Sequence, residues 1–172
     1  FGGVDKTTHH PMTSLRYITA EDTLDLSESC KKAGPMKIYQ VVGGPYHIRL
    51  NNAKVVFDPS VYGGTGAEVR LGMVLRLNDD QLDSLRQIEE KLQKQANTRW
   101  QSAIKESDGR YEPTFRTKIN KERTQIFTEY GESSSWPSGW RGRSINAIVR
   151  LGGVYGQSQC CGPLWEVTHA QF

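Results

Sequence analysis

The stretch from Ser144 to Phe172 constrains the fold of this chain more than any other. It reads SINAIVRLGGVYGQSQCCGPLWEVTHAQF. Near each end, residues of one face alternate with residues of the other, as Ile145, Ala147, Val149 and Leu151 alternate with Ser144, Asn146, Ile148 and Arg150. That period of two predicts strands with one buried face. Gly152 and Gly153 interrupt the first strand where a bulge would fall, and Gly156 to Pro163 is turn material. We therefore predict a curved hairpin, which suits the closing element of a small β-barrel better than a flat sheet.

Further strands and one substantial helix are predicted upstream. Period-two patterns favour strands within 36–50, 53–57, 68–77, 111–120 and 124–130. Asn78 followed by Gln81 predicts a capping box, and an apolar stripe at helical spacing then runs from Leu82 to Ala96. A short helix is also predicted from Asp22 to Lys32, within an otherwise irregular N-terminal arm.

Three pieces of the chain carry a family resemblance that spans Lys37 to Phe172. INAIVRLGGVYGQSQCCGPLWEVTHAQF resembles the last hairpin of the oligonucleotide-binding (OB) barrel in single-stranded-DNA-binding proteins of large DNA viruses and some phages. The order of glycine, aromatic, loop, glycine, apolar residue and tryptophan is matched by Gly152, Tyr155, Gly162, Leu164 and Trp165. The two other pieces are FDPSVYGG…VRLGMVLRLNDD, which precedes a helix, and the aromatic and basic strand YEPTFRTKIN.

The resemblance implies a fold and a function. The expected fold is mostly β: an OB-fold-like barrel with one substantial helix inserted between strands and an irregular N-terminal arm. We expect the arm over residues 1–35 and the nucleic-acid-binding domain over 36–172. The implied function is largely sequence-independent binding of single-stranded DNA during viral DNA replication and recombination, with self-association and contacts to replication proteins. The regulatory acidic C-terminal tail of such proteins has no counterpart in this sequence.

The charge of the chain is unevenly distributed. The formal net charge is only +3, from 22 basic and 19 acidic residues. Residues 99–150 nevertheless hold ten Lys and Arg against six Asp and Glu, whereas residues 78–98 hold three against five. A local basic stripe beside aromatic residues is what a nucleic-acid groove needs, although an ordinary solvated surface also accounts for a charge of this size.

Candidate binding residues are the aromatic rings on which bases stack and the cations that hold phosphates. The loop W-P-S-G-W-R-G-R is the most suggestive element; its tryptophans could equally plug the barrel mouth or pack on the helix. Tyr155 and Trp165 are expected in the core. The predicted site comprises Arg49, Lys54, Tyr62, Arg70, Arg76, Arg116, Lys118, Trp136, Trp140, Arg141, Arg143 and Arg150.

Several classes of protein are disfavoured by the sequence. Three cysteines without framework spacing indicate a reducing compartment inside the cell, such as the nucleus, the cytoplasm or a viral replication site. No apolar run approaches the length of a membrane span, so we expect no membrane association. The loop Gly63–Gly66 lacks the ending of a phosphate-binding P-loop. No metal-ligand spacing or catalytic constellation is visible, so we predict a non-enzyme without metal or cofactor.

Two other classes of function stay open at this point. The chain could be a structural or assembly protein, such as a capsid-associated or protein-interaction β domain whose aromatic loop contacts another protein. It could also be an RNA-binding chaperone on the same fold, because stacking does not read the 2′-hydroxyl unless a residue is placed for it.

Overall fold

A computed structural model describes residues 15–61, 63–107 and 109–172. Over these ranges the protein is mostly β, as the sequence predicted, and contains one α-helix. The strands are β1 (Arg16–Tyr17), β2 (Lys31–Ala33), β3 (Met36–Tyr39), β4 (Tyr46–Val55), β5 (Arg70–Arg76), β6 (Arg99–Trp100), β7 (Ile104–Lys105), β8 (Thr114–Asn120), β9 (Gln125–Phe127), β10 (Ser133–Ser134), β11 (Ser144–Gly156) and β12 (Cys160–Gln171). The helix, α1 (Asp79–Gln93), lies between β5 and β6.

Hydrogen bonds link five of the strands into a ring. β4 pairs antiparallel with β5, β5 with β8, and β11 with both β4 and β12. The ring closes where β12 pairs parallel with β8, with Glu166 opposite Lys118 and Val167 opposite Ile119. The shorter strands extend the sheet from this ring, as β2 and β3 do beside β11.

The apolar side chains that the period-two pattern assigned to one face fill the interior of the ring. On β11 these are the side chains of Ile145, Ala147, Val149 and Leu151, all of which are buried. Equivalent positions on the other strands join the same core: Val55, Met73, Leu75, Phe115, Ile119, Trp165 and Val167. Because alternate side chains point to opposite faces of a strand, the same strands direct a second row of side chains outward.

The helix begins where the sequence predicted. Asn78 accepts a hydrogen bond from the Gln81 backbone and the Gln81 side chain accepts one from the Asn78 backbone, so the capping box is complete. Within the helix, the buried Glu89 carboxylate accepts hydrogen bonds from two residues that follow α1, Trp100 Nε1 at 2.8 Å and Ala103 N at 3.0 Å. These bonds fix the return from α1 towards β8. Within the described ranges, no helix combines the length and apolar character needed to cross a membrane.

The predicted helix from Asp22 to Lys32 is wrong. Leu24 has a positive φ of 55°, and its side chain is buried in the core. Leu26 instead bridges to Val41, and its backbone N–H donates to the Gln95 side chain. Two leucines gave too short an apolar stripe to stabilise an isolated helix, and pairing with β-structure satisfies the backbone instead.

The predicted interruption of β11 is a real bulge. The register between β11 and β12 shifts between Leu151 and Gly153. Gly153 has φ of 128°, and a Cβ atom there would overlap the Tyr39 carbonyl oxygen. Gly153 therefore lets β3 approach β11 closely, which a larger residue would prevent.

We expect Gly153→Ala to lower the free energy of unfolding by about 2–4 kcal/mol, because the new methyl group meets backbone atoms that cannot move aside cheaply. Gly152→Ala is the matched control: a Cβ atom there would have its nearest neighbour at 3.7 Å. That control should change stability by less than about 1 kcal/mol. Urea unfolding of both variants makes the comparison, and equal losses would contradict the close approach.

Candidate functional site

An open groove of about 440 Å³ lies on the outer face of β5 and β8. Its floor includes Val74 opposite Arg116 and Gly72 opposite Lys118. One wall is the segment Phe57–Ser60, and the other is formed by the β11–β12 hairpin. The groove is thus a product of the closed ring, because β5–β8 and the hairpin come together only where β12 pairs with β8.

Backbone hydrogen bonds hold the Phe57–Ser60 wall in place. Ser60 N donates to Gly72 O at 3.1 Å, and Gly72 N donates to Ser60 O at 2.8 Å. Phe57 opens this segment with 55% of its surface exposed, which is unusual for a phenylalanine held beside a structured strand. The ring is therefore available to a flat ligand in the groove.

Two cations that line the groove, and a third beside it on β5, have no acidic partner among the described residues. Arg70, Arg116 and Lys118 all have exposed side chains, and the ion pairs of the described chain involve other residues. Burial, and to a lesser degree the charge of Arg70, lowers the pKa of Lys118. Like charges held this close repel one another, so an anion bound between them would be stabilised.

Two further predicted cations continue the basic face beyond the groove. Lys54 on β4 is opposite Arg76 on β5, and both belong to the outward row of their strands. Arg76 pairs with Glu112 at 3.2 Å, but the Glu112 side chain is 73% exposed. Such an exposed pair contributes little free energy, so Glu112 neutralises Arg76 only weakly. Five of the predicted cations are therefore brought onto one face: Lys54, Arg70, Arg76, Arg116 and Lys118.

Tyr155 forms the opposite wall and was misjudged as a core residue. Its ring is only partly buried, and its hydroxyl donates to Gln101 Oε1 at 2.8 Å. Burial raises the pKa of Tyr155, with smaller effects from Cys160 and Cys161. Trp165, the other aromatic expected in the core, is buried as predicted. Sequence reasoning also missed Phe57, although an aromatic residue opening the glycine-rich segment FDPSVYGG was a usable signal.

The structure gives no support for base stacking on Trp140. Only 2% of its surface is exposed. Its ring lies 5.0 Å from Trp136 and 5.0 Å from Phe172, measured between ring centroids. Trp140 therefore belongs to the apolar core, beside Trp136 and Phe172. Trp136 is partly buried and packs against the same core.

The two arginines of the tryptophan loop do not line the groove. Trp140 N and Arg141 N both donate to Asp58 Oδ1, at 2.8 Å and 3.0 Å. These two bonds hold the pKa of Asp58 below its ordinary value, and the bond from Trp140 has the larger effect. The Arg143 guanidinium lies over the Phe172 ring, 3.8 Å from its centroid. The loop is thus tied to the groove wall through Asp58, while its own cations lie outside the groove lining.

Arg49 and Arg150 are placed away from the groove and already have partners. Arg49 donates to the Tyr17 hydroxyl at 3.2 Å and lies over the Tyr17 ring. Arg150 pairs with Glu166 at 3.7 Å, a carboxylate that also binds Arg123. Arg150 lies on the outward face two strands from Lys118, with the Glu166 carboxylate between them, and neither arginine lines the groove. The predicted residue Tyr62 falls outside the described ranges.

Among the residues that the structure describes, the cysteines and the possible metal ligands do not form a second site. The three cysteines, all in the described ranges, are free thiols. Across the described part of the chain, His, Cys, Asp and Glu side chains do not gather in groups of three that would hold a metal ion.

Comparison with known proteins adds no family assignment. No protein-family model matches the chain, and no curated protein matches it in sequence. The resemblance to viral and phage proteins therefore stays a prediction.

We expect His47 to make stability depend on pH. Burial lowers its pKa from the ordinary 6.5. The unfolded chain therefore binds the proton more readily, and stability falls as pH drops from above 6.5 towards the folded-state pKa. His47→Gln should lose less stability between about pH 7.5 and pH 5.5 in urea unfolding. Above about pH 7.5 the histidine is neutral in both states, so the difference in stability between His47→Gln and the parent protein there reflects packing alone. If the stability of the two proteins changed in parallel with pH, His47 would not be the source of the pH dependence.

Proposed function

We propose that this protein binds single-stranded DNA in the groove on β5 and β8, largely without regard to sequence. One observation carries the proposal: Arg116, Lys118 and an exposed phenylalanine ring line a single groove, and a third cation without an acidic partner, Arg70, lies beside it on β5. Unpaired nucleic acid is the polymer that offers anionic phosphates and free flat rings together. Duplex DNA hides its base faces, and an acidic peptide lacks them.

The strand order of the ring supports this proposal. Taken around the ring it runs β4, β5, β8, β12, β11, with every pair antiparallel except β8–β12. This is the order expected of an OB-fold barrel, in which the second and third strands and the loops after the first and fourth strands bind oligonucleotides. The corresponding strands here are β5 and β8, which form the floor of the groove, and the segment Phe57–Ser60 between β4 and β5 forms one of its walls.

The groove suggests how such binding would work. Arg70, Arg116 and Lys118 neutralise phosphates and release counterions, while a base stacks on Phe57. Every base has a π-face and phosphate contacts carry no sequence information, so the site discriminates little between sequences. Binding in this proposal is stoichiometric, without turnover or a cofactor. It would protect exposed strands during DNA replication and recombination in a reducing compartment, where self-association and contacts with replication proteins would follow.

Fluorescence anisotropy with labelled oligo-dT tests the proposal. We expect affinity that falls steeply with salt and exceeds the affinity for duplex DNA. Phe57→Ala should weaken binding about five- to hundredfold, since one stacked base contributes about 1–3 kcal/mol, and Phe57→Trp should restore it. The double variant Arg116→Ala/Lys118→Ala should lower the salt slope by about 1.4, because each lost phosphate contact removes about 0.7.

Matched controls come from outside the groove. Tyr130 is an exposed aromatic residue at 78%, so Tyr130→Ala should leave binding unchanged. The exposed pair Lys94→Ala/Lys105→Ala removes the same charge as the groove double variant without touching the groove lining. If the control and groove variants lost equal affinity for oligo-dT, the binding would be explained by general charge attraction and not by the groove. Tighter binding of an RNA oligomer than of its DNA counterpart would instead favour the RNA-binding function.

A further inference from the structure

A second groove adjoins the first and shares one wall with it. It encloses about 770 Å³ between β3, the residues after α1 and the tip of the β11–β12 hairpin. Tyr155 lines both grooves. The hydrogen bond from its hydroxyl to Gln101 holds this ring at the boundary between the two grooves.

The second groove carries its own basic pair. Lys37 lines it, and Lys32 stands directly opposite Lys37 in the antiparallel pairing of β2 and β3. Residues opposite one another in such a pairing share a face, and like charges there destabilise the hairpin. Neither lysine has an ion-pair partner among the described residues. Glu28 also lines the groove but is not paired with either of them.

The rest of the lining suits a nucleic-acid strand. Asn97 and Gln157 contribute side-chain amides to the lining, and amides donate to and accept from sugars and base edges. The Gln95 amide also lines the groove, but it is bonded to Leu24, Leu26 and Lys91. Tyr39 supplies a second partly buried ring on β3. Opposed side chains on paired strands have Cβ atoms about 5 Å apart, so two ammonium groups can hold one phosphate or two neighbouring ones.

We propose that the second groove continues the single-strand track. A strand held on β5 and β8 would pass Tyr155 and place its next phosphates against Lys32 and Lys37. This inference rests on the proposed function, since it extends the same polymer through the same site. It assigns a role to the β2–β3 hairpin, which lies outside the five-stranded ring and is otherwise only an edge of the sheet. It also predicts that affinity depends on strand length.

Length-dependent binding tests the track. Oligo-dT of about 4 to 16 nucleotides, the range of sites on single OB folds, is titrated against the full chain. The parent protein should gain affinity and salt dependence once the oligomer is long enough to pass Tyr155. In the double variant Lys32→Ala/Lys37→Ala, the gain in affinity for long oligomers should fall about fivefold. The salt slope for long oligomers should fall by about 1.4, because two phosphate contacts are lost. The affinity for the shortest oligomers should stay unchanged. The control is again Lys94→Ala/Lys105→Ala, because neither residue lines either groove.

The outcomes separate the two proposals. The track would be overturned, and the proposed function would stand, under one pair of results. Short oligomers would bind in a way that depends on Phe57, and the gain in affinity with oligomer length would be the same with or without Lys32 and Lys37. A parent protein that shows no length gain would overturn the track in the same way. Failure of every oligomer to bind would overturn both. Loss of short-oligomer binding in the lysine variant would also count against the track, because it would place those lysines in the first groove. Circular dichroism melting shows that each variant is folded.

Discussion

The pairing of β12 with both β8 and β11 is the constraint on which the rest of the structure depends. An open sheet would leave β8 and β12 with unpaired edges, and closure satisfies their backbone groups while sealing the apolar interior. The bulge at Gly153 provides the bend that closure needs. Without the β8–β12 contact, the floor and the far wall of the groove would belong to separate parts of the chain.

Closure also explains why a site can form without cost to the core. Each ring strand commits alternate side chains to the interior, so the outward row is free to carry charge. Along β5 and β8 that row holds arginine and lysine, while Glu166 on the neighbouring strand is occupied by Arg123 and Arg150. The basic face thus stays unneutralised although acidic and basic residues are nearly balanced over the whole chain. The positive potential of this face follows from this arrangement and not from the net charge.

Much of the fold and part of the site could be predicted from local patterns. Alternation identified the buried faces of β5, β8 and β11, and capping identified the start of α1. The cations on β5 and β8 followed from the same alternation. The tryptophan loop misled because exposure was inferred from its Gly, Pro and Ser content, whereas Trp140 finds neighbours as distant in sequence as Asp58 and Phe172. Arg150 failed similarly, since its partner Glu166 lies on another strand.

The sequence by itself determined which residues face inward, where the single helix starts and where the hairpin bends, because these depend on neighbours a few positions away. Only the tertiary structure decided which outward residues share a surface. Phe57, Arg116 and Tyr155 are brought to one groove by pairing between strands far apart in the chain, and a register change of one residue would reverse the faces. Such long-range pairing has no local signature, because its free energy comes from closing the ring as a whole.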